Sequence, residues 1–312
     1  MTKEPLFLTP VFQERIWGGT ALRDVFGYDI PNDKTGECWA ISAHPNGMGY
    51  IKNGEFAGKS LKELWDNQRE LFGNVPGDKF PLLTKILDAN DDLSVQVHPD
   101  DAYANLNENG EFGKTECWYI IDAKEDAELI FGHNAQSTDE VREMLESGKW
   151  DQFLRRIKVK TGDFFYVPSG TVHALCSGTL ILETQQSSDT TYRLYDYDRR
   201  DDAGNPRELH LEKSIDVIHA PHANAGVDVI SQKIPGATVT TYVKSEFFSV
   251  YKYDVAGTAK FAQDKPFLLL SVLSGAGQIN EHPLKKGDHF ILPAGFGDFE
   301  LSGELELMVS HV

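Results

Sequence analysis

The sequence predicts a mainly β fold: two jelly-roll sandwiches or barrels in one chain, with a few short helices. Three observations predict it. Short apolar and aromatic runs recur, broken by Gly, Pro and Asp turns. The frame Gly-Asp-x-Phe-x-x-Pro-x-Gly occurs twice, at Gly162–Gly170 and at Gly287–Gly295, which marks two similar β units rather than a solenoid. After about residue 236 nearly every segment reads as strand.

In chain order, "ECWAIS" from Glu37 reads as a strand. Ser60 to Gly73 reads as a helix, with Ser60 as N-cap and Gly73 as terminator. "LSVQVH" follows, then a turn into a short helix at "HPDDAYANLN". "ECWYIIDA" and "AELIFG" are strands. "STDEVREMLESGKWDQFLRRI" opens on a capping pattern and reads as one or two helices. "DFFYVP" and "GTLILETQQ" are strands, and "AGNPRELHLEKSIDVI" is a loop entering a helix with Pro206 near its start. His219 to Val229 is the candidate linker. "ATVTTYV", "FFSVYKYDV", "FLLLSVLSG", "DHFILPA" and "ELELMVSHV" complete the second unit.

A length of 312 residues suits two domains, expected at 1–235 and 236–312. The formal net charge of −18 argues against nucleic acid or an anionic membrane as partner. No stretch approaches the ~18 consecutive apolar residues of a membrane span. The opening "MTKEPLFLTP" has mixed charge and two prolines, so no secretion signal is expected. Three scattered cysteines, Cys38, Cys117 and Cys176, make no disulfide framework and fit a reducing, cytoplasmic setting.

Residues two apart in a strand share a face. Ser94, Gln96 and His98 therefore lie together, with Val95 and Val97 opposite. Lys114 and Glu116 have the same spacing at the mouth of an apolar strand, and His173 follows the first Pro-x-Gly turn. Each has an ordinary reading as a solvated or structural side chain. In combination, two imidazoles (His98, His173) and two oxygen donors (Gln96, Glu116) make a four-ligand set. That set suits zinc and could take iron, cobalt or manganese. Lys85 is a lone charge in the apolar "LLTKILDAN" and leans inward.

The stretch Gly162 to His173 is similar to the second signature of the cupin superfamily, small jelly rolls that hold a metal. The superfamily's usual first-signature H-x-H is Q-x-H here, at Gln96 and His98. The ordered series Q-V-H-P-D-D, K-T-E-C-W-Y, P-S-G-T-V-H-A-L and S-D-T-T-Y-R resembles type I mannose-6-phosphate isomerases. "PVFQERIWGG" and "TGECWAIS" also match, so the resemblance covers nearly the whole chain in its short bacterial form. It implies one zinc ion per chain, held by Gln96, His98, Glu116 and His173. It implies substrate contacts from Ser94, Lys85 and Lys114, a catalytic-site arginine at Arg193, and pocket acids at Glu183 and Asp189. Such enzymes often carry a tyrosine near Leu175.

The implied reaction interconverts mannose 6-phosphate and fructose 6-phosphate through an enediolate. Arg193 would stabilise charge, and Lys114 or Asp189 would move the proton. Lys85, Lys114 and Arg193 are the cations available to the phosphate, while Arg199 and Arg200 are read as surface residues. The partner is a small sugar phosphate, and the chain is expected as a monomer or homodimer. Rival readings are a cupin oxygenase, disfavoured by Gln96, a paralogue acting on a related sugar phosphate, and a non-catalytic sugar-phosphate sensor. The second unit has Asp298 where the first has His173, and lacks an upstream Q-x-H or H-x-H. It reads as a duplicate that lost its metal and now serves packing or oligomer contacts.

Overall fold

A computed structural model describes residues 4–200 and 203–312. Three sheets make up the framework. A five-stranded sheet runs in the order Tyr192–Tyr195, Val95–Val97, His173–Leu175, Glu128–His133, Leu154–Lys158. A six-stranded sheet runs Phe164–Val167, Glu116–Ala123, Thr179–Gln186, Leu82–Ala89, Thr35–Ile41, Val11–Gly19. A nine-stranded sheet holds the carboxy-terminal strands and is built around Ser249–Gln263, Leu268–Ile279 and Gly297–His311. The sheets are open, so each unit is a jelly-roll sandwich and not a closed barrel.

The six-stranded sheet is the middle layer. Its strands Thr35–Ile41, Leu82–Ala89 and Thr179–Gln186 are buried along their whole length. Their buried polar residues, among them Glu37, Lys85 and Glu183, are therefore enclosed side chains and not a solvated face. One face packs Trp118, Ile120, Leu87 and Ile181 with Leu129, Phe131 and Leu175 of the five-stranded sheet. The other packs Cys117, Tyr119, Ile86 and Leu182 with Tyr242, Phe248, Leu269 and Met308 of the nine-stranded sheet. The two faces of Glu116–Ala123 thus divide between the site and the second unit. The chain ends interlock as well. Leu6–Thr9 pairs with His289–Leu292, and Ile230–Ile234, on the amino side of residue 235, pairs with Ala237–Lys244.

The repeated frame has one geometry. Asp163 Oδ2 accepts from Lys160 N, and Asp288 Oδ2 from Lys285 N, both at 2.9 Å. Gly162 N donates to Ile120 O and Gly287 N to Val272 O, again both at 2.9 Å. The Pro-x-Gly turns close through Thr171 N to Pro168 O and Phe296 N to Pro293 O, each 3.2 Å. The sequence repeat is therefore a structural repeat.

Six short α-helices lie among the described residues. Ser60 makes a full capping box with Glu63 at the start of Leu61–Asn67, an arrangement worth about 1 kcal/mol. Asp100 and Ser137 cap Asp101–Asn107 and Thr138–Glu146. Pro206 differs from expectation: the helix starts only at Leu211, and Pro206 bridges to Arg200. Among the described residues no helix is long and apolar enough to cross a membrane.

Candidate active site and metal centre

The site forms where the five- and six-stranded sheets face each other. Ser94, Gln96 and His98 project together from and beside the strand Val95–Val97. Gln96 stands in register with His173 on one neighbouring strand and with Arg193 on the other. Pairing alone therefore sets Arg193, Gln96 and His173 in one row. On the facing sheet, register aligns Trp39, Lys85, Glu183 and Trp118.

Ligand atoms of His98, Glu116 and His173 lie within 4.8 Å of one another, and all three residues are buried. His98 Nε2 is 3.5 Å and His173 Nε2 3.3 Å from the Glu116 carboxylate. His98 Nδ1 donates to Thr190 O and His173 Nδ1 to Thr171 O, each at 2.9 Å. A carbonyl can only accept, so Nδ1 carries the proton and both Nε2 lone pairs point inward. Burial pushes His173 down to about 4 and, with the Lys114 charge, holds His98 well below the usual histidine value. Both rings stay neutral, as metal ligation requires. The Glu116 carboxylate is buried, with Lys114 Nζ 2.6 Å from Oε2 as its ion-pair partner, and its oxygens lie 3.3–3.5 Å from the two Nε2 atoms, so that nitrogen and oxygen donors converge. Gln96 Nε2 lies 3.3 Å from His173 Nε2; a half-turn of the amide places its oxygen there instead. The donor set fits a divalent metal.

Above the ligands opens a cavity of about 420 Å³. Its lining includes Ser94, Gln96, Lys85, Lys114, Glu183, Asp189 and Arg193, so every anticipated non-histidine site residue except Glu116 borders it. Lys114 Nζ is 2.6 Å from Glu116 and 3.8 Å from Glu183. Burial alone would discharge this lysine, but the two carboxylates raise it above its ordinary value. Burial, reinforced by Glu116, raises Glu183 above the usual carboxylate range. Arg193 Nε donates to Ser94 Oγ at 3.2 Å and Nη1 to Glu208 O at 2.8 Å. Burial, then the neighbouring Arg207, lowers Arg193. Asp189 accepts from Asn46 Nδ2 at 2.9 Å and lies 4.0 Å from Lys85 Nζ, which also sits over the Trp39 ring.

Arg15, Glu37 and Arg207 also line the cavity, and no motif in the sequence marks them as site residues. Glu37 is buried, accepts from Trp39 Nε1 at 2.6 Å and Arg15 Nε at 2.8 Å, and lies 3.6 Å from Lys85. Burial alone would raise it, but Lys85 and Arg15 outweigh burial and hold it down at about 2. The alternation Glu37-x-Trp39 was its only local signal. Arg207 grips Asp196 together with Arg199, so Arg199 is a half-buried ion-pair partner rather than a free surface charge.

A buried imidazole–carboxylate cluster under a polar cavity, within a jelly-roll sandwich, defines a metal-site enzyme of the cupin class. The family model "Phosphomannose isomerase type I, catalytic domain" matches residues 6–139, and "Mannose-6-phosphate isomerase, cupin domain" matches 238–312. The mannose-6-phosphate isomerase ManA of Bacillus subtilis is 58% identical, covering 100% of both chains. The mannose-6-phosphate isomerase of Streptococcus mutans is 56% identical over 99% of this chain and 98% of its own. A crystal structure of the Bacillus subtilis mannose 6-phosphate isomerase superposes with a TM-score of 0.97 at 58% identity, covering 99% of each chain. The chain belongs to the type I phosphomannose isomerase family.

Proposed function

We propose that this protein is a mannose-6-phosphate isomerase. It interconverts mannose 6-phosphate and fructose 6-phosphate by moving a proton between C1 and C2 of the open-chain sugar. The observation that carries the reading is the buried His98–Glu116–His173 cluster joined, through the row Arg193–Gln96–His173, to a cavity that Gln96, Lys114 and Arg193 line.

Gln96, His98, Glu116 and His173 would hold one ion per chain, and a set of two nitrogens and two oxygens favours zinc. When bound, the ion supplies Lewis acidity towards the sugar's C1 and C2 oxygens. The chain's own residues do the rest. Arg193 sets a permanent positive charge beside the developing enediolate, oriented by Ser94. Lys114, held charged between two carboxylates, is a second fixed cation. Proton transfer falls to Asp189: its side chain is 34% exposed, against 5% for Glu183, which burial biases towards the neutral acid. Lys85, which lines the cavity, supplies charge to the phosphate despite the acidic surface.

The unit at 236–312 serves as backing: Tyr242 packs against Tyr119 and Phe164, behind the strand that carries Glu116. Three free, buried cysteines support a cytoplasmic setting.

The test is a coupled assay of mannose 6-phosphate conversion, before and after chelation and after zinc is restored. Activity lost to the chelator and regained with zinc is expected, as is loss of both metal and turnover in His173→Ala. A folded, zinc-loaded protein without turnover would point to a paralogue or a sensor instead.

A further inference from the structure

The segment His219–His222 reads as linker and has no regular secondary structure, yet it is locked to the back of the turn that carries His173. His219 N donates to Gly170 O at 3.0 Å, and Gly170 N donates to His98 O at 2.8 Å. His133 Nε2 donates to His219 O at 3.0 Å. Gly132 N donates to Val172 O at 2.7 Å. Gly170 thus ties the backbone of His98 to the strap, and Gly132 ties down the residue next to His173.

The two rings occupy the space that these glycines leave. A Cβ on Gly170 would come within 2.7 Å of His219 Cγ, and one on Gly132 within 2.4 Å of His222 Cδ2. Both glycines have left-handed backbones, with φ of +80° and +90°. His222 also stands edge-on to Phe131 at 5.9 Å, and Phe131 is the register partner of His173. Neither ring lines the cavity.

We infer that His219 and His222 are positioning residues for the metal site, acting through Gly170 and Gly132 on the Pro168–Val172 turn. The inference rests on the proposed ligand set. Glycine is the most permissive backbone residue, so a turn held by two glycines wanders unless something fills the space over them. Metal ligands need placement to within about 0.5 Å. The strap supplies ring volume here, and imidazole chemistry is not required.

The experiment uses the full chain. Zinc affinity is read by competition with a chromophoric chelator, and ligand geometry by the absorption spectrum of the cobalt-loaded protein. His219→Ala and His222→Ala should bind zinc about 10- to 100-fold more weakly, the range seen when outer-shell supports are removed, with a shifted cobalt spectrum. His219→Phe and His222→Phe should keep wild-type affinity and spectrum. Folded Ala variants with unchanged affinity and spectrum overturn the inference, as do folded Phe variants that lose the metal. If the Ala variants fail to fold, His219→Val and His222→Val replace them: valine is smaller than the imidazole, so weaker zinc binding than wild type is expected, and wild-type affinity and spectrum overturn the inference. A wild-type chain that takes up no ion refutes the ligand set itself.

Discussion

Lys114 Nζ lies 2.6 Å from Oε2 of Glu116, with both side chains buried. An ammonium therefore touches the carboxylate that is also placed to bind a cation. Without the ion, Lys114 is the charge that balances Glu116 and Glu183.

Lys114→Met keeps the stem and removes that charge. Leaving buried carboxylates unbalanced should cost the metal-free protein about 3 kcal/mol. The zinc-loaded protein should lose less, because the ion neutralises the same groups. Urea unfolding with and without zinc measures the difference, and equal losses in both states would refute the balance.

Arg193 contacts the hydroxyl of Ser94 and a backbone carbonyl, not a metal ligand. Arg193→Ala should keep zinc and the fold while kcat falls about 100-fold or more, the usual cost of removing a preorganised charge-stabilising donor. Metal analysis beside the turnover assay decides it; loss of zinc would show a different role.

His289 lies buried in the second unit, between Tyr28 at 2.7 Å and Ser271 at 2.8 Å. Burial, with Lys52 adding to it, lowers it to about 3 from 6.5. The native ring stays neutral while the unfolded chain takes up a proton below 6.5. Its stabilising contribution is thus complete above that pH and is lost as pH falls towards 3. Between pH 7 and 5 the loss is about 2 kcal/mol from this residue. His289→Gln should narrow the stability gap between those two pH values by that amount in urea titrations; an unchanged gap would contradict a buried neutral ring.

Asp298 is exposed at an open groove and belongs to no ligand cluster among the described residues. Asp298→Ala should leave kcat/KM and a stoichiometry of one metal per chain unchanged. A drop in bound metal from two to one would reveal a second site in the carboxy-terminal unit.

The sequence by itself determined which side chains share a face and which segments repeat. Ser94, Gln96 and His98 stand together because side chains alternate along a strand, and the Gly-Asp turns at 162 and 287 match because the same residues make the same local hydrogen bonds. Only the tertiary structure decided what meets across the molecule. Glu37 meets Lys85 through the register of two distant strands and Arg15 past a bulge at Gln13/Glu14, neither of which a short spacing encodes. Arg207 reaches the cavity from a loop. His219 and His222 looked like linker because their partners, Gly170 and Gly132, act by having no side chain, and that signal exists only once the surfaces are packed together. Periodicity is a local property of the backbone; register between distant strands is chosen by the core they bury in common.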